Sequence, residues 1–202
     1  LPFEEAIDGF KEQVRGLIDG GCDLIVIETM IDIQETRAAL LAVKELSDIF
    51  TMTSLTFEKD GHTLGGTPPE SAVITLQSLG ADAVGCNCSA GPEQMAEIIA
   101  AMKPLATVPL LAKPNAGMPR LEGSKTVFDM DAKTFATCAG KLAAAGANLL
   151  GGCCGTTPDH IAALSAKVGS RKPFKPRRLS ISALSSARSF VHLHDGQPLL
   201  II

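Results

Sequence analysis

The chain has no tryptophan and no tyrosine, and aromatic residues make up 4% of it. Surfaces that stack bases need such rings, and a formal net charge of −4 does not supply the broad basic face that a nucleic acid selects. The one basic stretch, Arg171, Lys172, Lys175, Arg177 and Arg178, has Phe174 as its single aromatic and is interleaved with Pro173 and Pro176. It reads as an exposed linker. No apolar run approaches the roughly 18 residues of a membrane span, and no signal peptide opens the sequence. No Gly-x-Gly-x-x-Gly turn follows a candidate strand, so the dinucleotide-binding fingerprint is missing. The six cysteines contain no Cys-x-x-Cys pair of the zinc-finger kind, and in a chain of 202 residues they do not read as the framework of a small secreted domain. The expectation is a cytoplasmic protein in a reducing setting, with neither nucleic acid nor membrane as partner.

What remains is an apolar content of 46%, enough for a packed core. Phe3, Ile7, Phe10, Val14, Leu17 and Ile18 recur at helical spacing up to Gly20-Gly21, and Leu24 to Ile27 then forms a continuous apolar run. Such a run fits a parallel strand covered on both faces. The same punctuation, glycine, small residue, Asp or Asn, then an apolar strand, returns at Gly21-Cys22-Asp23-Leu24, Gly80-Ala81-Asp82-Ala83 and Gly146-Ala147-Asn148-Leu149. Residues 33–47, 68–79, 91–103 and 131–145 read as helices, residues 50–57 and 108–112 as strands, and Pro158 opens a last helix. Thr67-Pro68-Pro69-Glu70 reads as a capping box at the start of the second of these helices. Five strands alternating with helices predict an α/β fold with a parallel sheet and right-handed crossovers.

The polar groups that stand out all follow strands: Glu28, Cys88, Asn115, and the adjacent Cys153 and Cys154. In a barrel of βα units that end is the catalytic face, and an open doubly wound sheet also binds ligands there. Cys153 and Cys154 lie in Gly151-Gly152-Cys153-Cys154-Gly155-Thr156-Thr157-Pro158. Neighbouring Cα atoms are about 3.8 Å apart, short of the roughly 4.4 to 6.8 Å across a relaxed disulfide, so the two do not pair comfortably. A shared metal requires the backbone to leave strand geometry, which the glycines permit. Cys86 and Cys88, in Gly85-Cys86-Asn87-Cys88-Ser89-Ala90-Gly91-Pro92, share a face by the two-residue period, Cys86 deeper and Cys88 at the rim. Three thiolates with one open position make a catalytic zinc pattern. Buried apolar thiols are the other reading of the same residues. His62 is placed in a loop and His160 in the first turn of a helix, while His192 and His194 share a face if that segment is extended.

The two cysteine motifs, with Pro114-Asn115-Ala116-Gly117-Met118-Pro119 between them, resemble the homocysteine-binding barrel of cobalamin-dependent methionine synthases. That resemblance implies a TIM-type (β/α) barrel. About five of its eight βα units fall in residues 1–168, and residues 169–202 are a linker into the first strand of a following pterin-binding barrel. The resemblance also implies a methyltransferase in which zinc on Cys88, Cys153 and Cys154 activates homocysteine as a thiolate, methylcobalamin being bound by another module. It implies that Glu28 holds the amino group of homocysteine, and that Asn115 approaches the zinc when substrate is absent. Cys86, where the family has an aliphatic residue, is expected in the core. Other outcomes stay open: betaine or S-methylmethionine as donor, a phosphate-binding barrel using Gly151 to Thr157, or an inactive structural fragment.

Overall fold

The computed structural model describes residues 1–88, 91–169, 171–176 and 182–193. Arg177 and Arg178 of the basic stretch, His194, and the apolar tail Leu199 to Ile202 lie outside the described residues. The chain runs α1 (Phe3–Asp19), β1 (Leu24–Met30), α2 (Ile33–Leu46), β2 (Phe50–Leu55), α3 (Pro69–Ser78), β3 (Ala83–Asn87), α4 (Pro92–Met102) and β4 (Leu110–Lys113). A short hairpin follows, β5 (Arg120–Glu122) with β6 (Lys125–Val127), then α5 (Ala132–Ala145), β7 (Leu149–Leu150) and α6 (Pro158–Val168), and finally a second hairpin, β8 (Ala183–Ser185) with β9 (Phe190–His192). Among the described residues no helix is long and apolar enough to cross a membrane.

The five expected strands form one parallel sheet in the order β1-β2-β3-β4-β7. Helices cover one face of it. Ile25 and Ile27 of β1 are buried there with Leu40 and Val43 of α2, Val73 and Leu76 of α3, and Ile99 and Met102 of α4. On the opposite face, Leu24 and Val26 are 42% and 37% exposed. The sheet is curved. Strands stand about 4.8 Å apart, so the ends of β1 and β4 would be roughly 14 Å from each other in a flat sheet, yet Lys113 of β4 forms an ion pair with Glu28 of β1.

The repeated punctuation has one structural meaning. Gly21, Gly80 and Gly146 all have left-handed backbone at φ 79°, 94° and 128°, which turns each helix into the next strand. Two residues on, the side chain reaches back to the neighbouring strand. Asp82 Oδ2 accepts the Thr51 amide of β2 at 2.8 Å, and Asn148 Oδ1 accepts the Leu110 amide of β4 at 3.1 Å.

Two expectations are corrected. Thr67 caps nothing: Pro68 is extended at ψ 158° and itself precedes a proline, so α3 starts at Pro69 without a side-chain cap. The segment after residue 168 is not wholly an extended linker either. Residues 183–192 form the β8–β9 hairpin, turned by Ser186, whose Oγ accepts the Ser189 amide at 3.1 Å. This hairpin docks on α3, where Thr75 and Ser185 hydroxyls meet at 2.8 Å and Ala183, Ala187 and Phe190 join the core.

β3 and β4 approach closely at Gly85, which pairs with Leu111. A Cβ placed on Gly85 would stand 1.8 Å from the Leu111 carbonyl oxygen, part of a backbone held by ladder bonds on both sides. Gly85→Ala is therefore expected to lower the unfolding free energy by about 3 kcal/mol or more in urea titration. A loss below about 1 kcal/mol would mean that the two strands have slack the sheet does not display.

Candidate metal centre

Cys88, Cys153 and Cys154 come from two loops beyond the ends of β3 and β7, and their sulfurs all lie within 4.8 Å of one another. Among the described residues this is the one cluster of three or more such side chains able to share a metal ion. The Cys88 and Cys154 sulfurs are 3.9 Å apart. Four ligands placed tetrahedrally at a zinc–sulfur distance of about 2.3 Å have sulfurs roughly 3.8 Å apart, so the spacing and the donor type both fit zinc. All six cysteines are free thiols.

The backbone leaves strand geometry by specific means. Cys88 has φ 64°, a left-handed conformation uncommon outside glycine, and its amide still donates to the Lys113 carbonyl at 3.2 Å. This ends the two-residue alternation, so Cys86 and Cys88 do not share a face as the spacing predicts. Cys86 is 1% exposed in the helix-side core, where burial pushes its thiol pKa far up. It is core, as expected.

The second loop is held amide by amide. Gly151 donates to Ala112 O at 3.1 Å, Cys153 to Pro114 O at 2.9 Å and Thr156 to Cys153 O at 3.2 Å. Cys154 donates to Asn115 Oδ1 at 3.0 Å, and its carbonyl accepts from Ala116. Asn115 is thus buried beside the thiols with its oxygen engaged by the metal loop. These bonds also use the amides that a phosphate cradle would need to leave free. Of the three glycines, Gly155 alone has left-handed backbone, at φ 78°. A Cβ on Gly155 would stand 2.3 Å from the Phe128 ring, and one on Gly152 would stand 2.4 Å from the Thr156 side chain. Close packing, more than chain freedom, requires glycine there.

Crowding shows in the thiol chemistry. The Cys154 pKa is pushed up to about 11, first by desolvation and then by the neighbouring Cys153 and Cys88 thiols. Next to the thiols lies a cavity of about 490 Å³ bordered by Phe57, Cys88, Gln94, Asn115, Phe128 and Cys154. A larger groove of about 750 Å³ lies between α1 and the start of α2, lined by Phe3, Phe10 and Ala38 and by none of the three cysteines.

Glu28, expected just after its strand, lies within β1 near the carboxyl end, and it is not free. Lys113 Nζ donates to its Oε2. Three further residues escape a reading of the sequence by motif. Lys113 is one. His160 is another, 9% exposed: its Nε2 lies 2.8 Å from the Met130 carbonyl and must donate there, so Nδ1 accepts the Thr157 amide at 3.2 Å and the Thr157 hydroxyl at 2.8 Å. That ties the start of α6 to the loop before α5. Asn87 is the third, with Nδ2 donating to Cys153 Sγ at 3.6 Å. The sequence held one signal for it, since the two-residue period puts Asn87 on the face opposite Cys86.

The chain is similar to known proteins over most of its length. Over 167 residues the chain is 34% identical to methionine synthase of Mycobacterium leprae, covering 80% of this chain and 14% of that protein. It is 34% identical over 205 residues to methionine synthase of Mycobacterium tuberculosis, covering 96% and 17%. Among solved structures, the homocysteine methyltransferase MmuM from Escherichia coli matches in its apo form with TM-score 0.67 and 29% identity, over 83% of this chain and 57% of that one. Its metallated form matches with TM-score 0.66 and 29% identity, over 80% and 52%. The chain therefore spans a small part of the methionine synthases and little more than half of the MmuM chain. A family model described as homocysteine S-methyltransferase matches residues 1–168, five-stranded sheet and thiol cluster included, and the chain belongs to that family.

Proposed function

We propose that the chain binds one zinc ion through Cys88, Cys153 and Cys154 and presents homocysteine for S-methylation to methionine, as part of a methionine synthase. The observation that carries this reading is the convergence of three sulfurs within 4.8 Å of one another, Cys88 and Cys154 at a spacing that a tetrahedral zinc accepts, in a chain of this family. Zinc held by three protein ligands supplies Lewis acidity at an open position, which favours the thiolate form of a thiol substrate near neutral pH. The rest is work for the chain's own side chains. The cavity beside the thiols has room for a small amino acid, and Phe57 and Phe128 on its wall limit water.

Glu28 takes the substrate ammonium. The Lys113 ammonium held by that carboxylate supports this reading, being the same kind of group as the substrate's. Attachment at sulfur and at nitrogen fixes a small, flexible substrate in a near-attack geometry. Methylcobalamin is the donor we infer, bound by another module. The match to the mycobacterial methionine synthase supports this, since it runs past residue 168 and covers 96% of the chain. Residues 169–202 then lead toward a pterin-binding barrel. Homocysteine, the pterin-binding module and the cobalamin-binding module are the partners this reading requires, in the cytoplasm.

Elemental analysis of the purified chain is expected to find one zinc. Cys88→Ala, Cys153→Ala and Cys154→Ala should each abolish or greatly weaken its binding, while Cys22→Ala and Cys138→Ala keep it. Normal zinc in Cys153→Ala would remove the thiol cluster as the site. Separately, Glu28→Gln is expected to raise the homocysteine dissociation constant roughly ten- to hundredfold in calorimetry, the range for losing a charged hydrogen bond, with zinc content unchanged. Unchanged affinity, or loss of zinc instead, would rule out the substrate role of Glu28.

A further inference from the structure

Asn87 closes β3, the middle strand of the five, and is 1% exposed. Each polar atom of its side chain is engaged. Oδ1 accepts the Thr29 amide at 2.9 Å and the Ser54 hydroxyl at 2.6 Å, and Nδ2 donates to the Thr29 hydroxyl at 2.8 Å and to Cys153 Sγ at 3.6 Å. The orientation of the amide is chemically fixed. A backbone N–H can only donate, so the oxygen must face Thr29 N, and the NH2 group is the one left to face the sulfur. Its backbone carbonyl accepts the Thr56 hydroxyl at 3.1 Å, and its chain neighbour is Cys88.

Through these bonds the central strand reaches both outer ones. Thr29 lies on β1 next to Glu28, and Cys153 follows β7. Thr29 has φ 62°, a conformation costly for a β-branched residue, and it bonds to Asn87 with both its amide and its hydroxyl. From this we propose that Asn87 is a positioning residue, which holds the Cys153 sulfur for the metal by an N–H···S bond and locks it to the strand end that carries Glu28. The inference rests on the metal reading above and deepens it: one buried amide sets the distance between the thiolate site and the carboxylate that takes the substrate. Hydrogen bonds from outside the ligand set orient ligands and tune their donor strength.

The test uses cobalt as a spectroscopic stand-in for zinc in the full chain. Asn87→Asp keeps the shape and the acceptor facing Thr29 N and Ser54, but turns an acceptor with negative charge toward the sulfur. The sulfur-to-cobalt charge-transfer band is expected to move to lower energy, and the zinc dissociation constant, measured by chelator competition, to rise about ten- to hundredfold. Ser54→Ala removes a bond to Oδ1 and leaves the N–H···S bond intact, so the band should stay in place. A band and affinity unchanged in Asn87→Asp, or a band moved equally by Ser54→Ala, would overturn the role of Asn87 while leaving the metal site standing. A wild-type chain that takes up neither cobalt nor zinc would overturn the metal reading itself. If Asn87→Asp does not fold, the wild-type chain decides. Loaded with a magnetically active cadmium isotope and labelled with nitrogen-15, it should show splitting of one Asn side-chain N–H resonance through the hydrogen bond to the cadmium-bound sulfur. No such splitting would overturn the proposal.

Discussion

A polar side chain is carried at low cost where a strand's ladder ends and a partner group or water is within reach, and that placement organises the site. β1, β3 and β4 are apolar along their buried positions and turn polar at their carboxyl ends: Glu28 and Thr29, Asn87 and Cys88, Lys113 and Asn115. Parallel register brings those ends to the same level, Gly85 beside Leu111 and Asn87 beside Lys113. Curvature of the sheet then brings these polar ends toward one another, in line with the Lys113–Glu28 ion pair across three strand spacings. The left-handed turn at Cys88 and the bonds that hold the Cys153–Cys154 loop then bring the sulfurs together. They come from the ends of β3 and β7, on either side of β4.

The site also stores strain, and stores it at two related points. Thr29 and Cys88 are the non-glycine residues with left-handed backbone among those described, at φ 62° and 64°. Each such conformation costs on the order of 1–3 kcal/mol and persists only where its surroundings over-determine it. At Thr29 the surroundings are the Asn87 side chain, and at Cys88 they are the Asn87–Lys113 pairing and the Lys113 carbonyl. Thus the end of β3 supports both the strand that carries the carboxylate and the turn that carries a thiol. Two strained turns fixed by one strand end form a rigid frame, which suits a site that must hold a small substrate between sulfur and nitrogen contacts.

The sequence was most legible where one residue type has one use. Glycines before strands, prolines opening helices and cysteines beyond strand ends located the five βα units and the three thiols, because these depend on local conformation and on chain order. It was least legible where a side chain acts across the sheet. Lys113, Asn87 and His160 look like ordinary strand-end and helix residues, and their meaning comes from partners 85, 66 and 30 positions away. The shared face read for Cys86 and Cys88 failed for a different reason. Period-two logic holds only while φ stays extended, and nothing in Asn-Cys-Ser announces a left-handed cysteine. The β8–β9 hairpin escaped notice because its turn, Ser186 to Ser189, has no glycine, asparagine or proline and is closed by serine hydroxyls instead.

The threefold Gly-x-Asp/Asn punctuation carries the argument beyond the site. Asp82 joins β3 to β2, and Asn148 joins β7 to β4; in each case the side chain accepts the first amides of the strand toward β1. The device therefore has a direction. Asp23 occupies the same place before β1, two residues after a left-handed glycine, but β1 is the edge of the described sheet. On the face opposite the helices, the apolar Leu24 and Val26 of this edge strand are 42% and 37% exposed. The side-chain clasp thus acts within the sheet, between β2 and β3 and between β4 and β7, while the edge strand β1 keeps apolar side chains uncovered on one face, a surface that a protein normally covers.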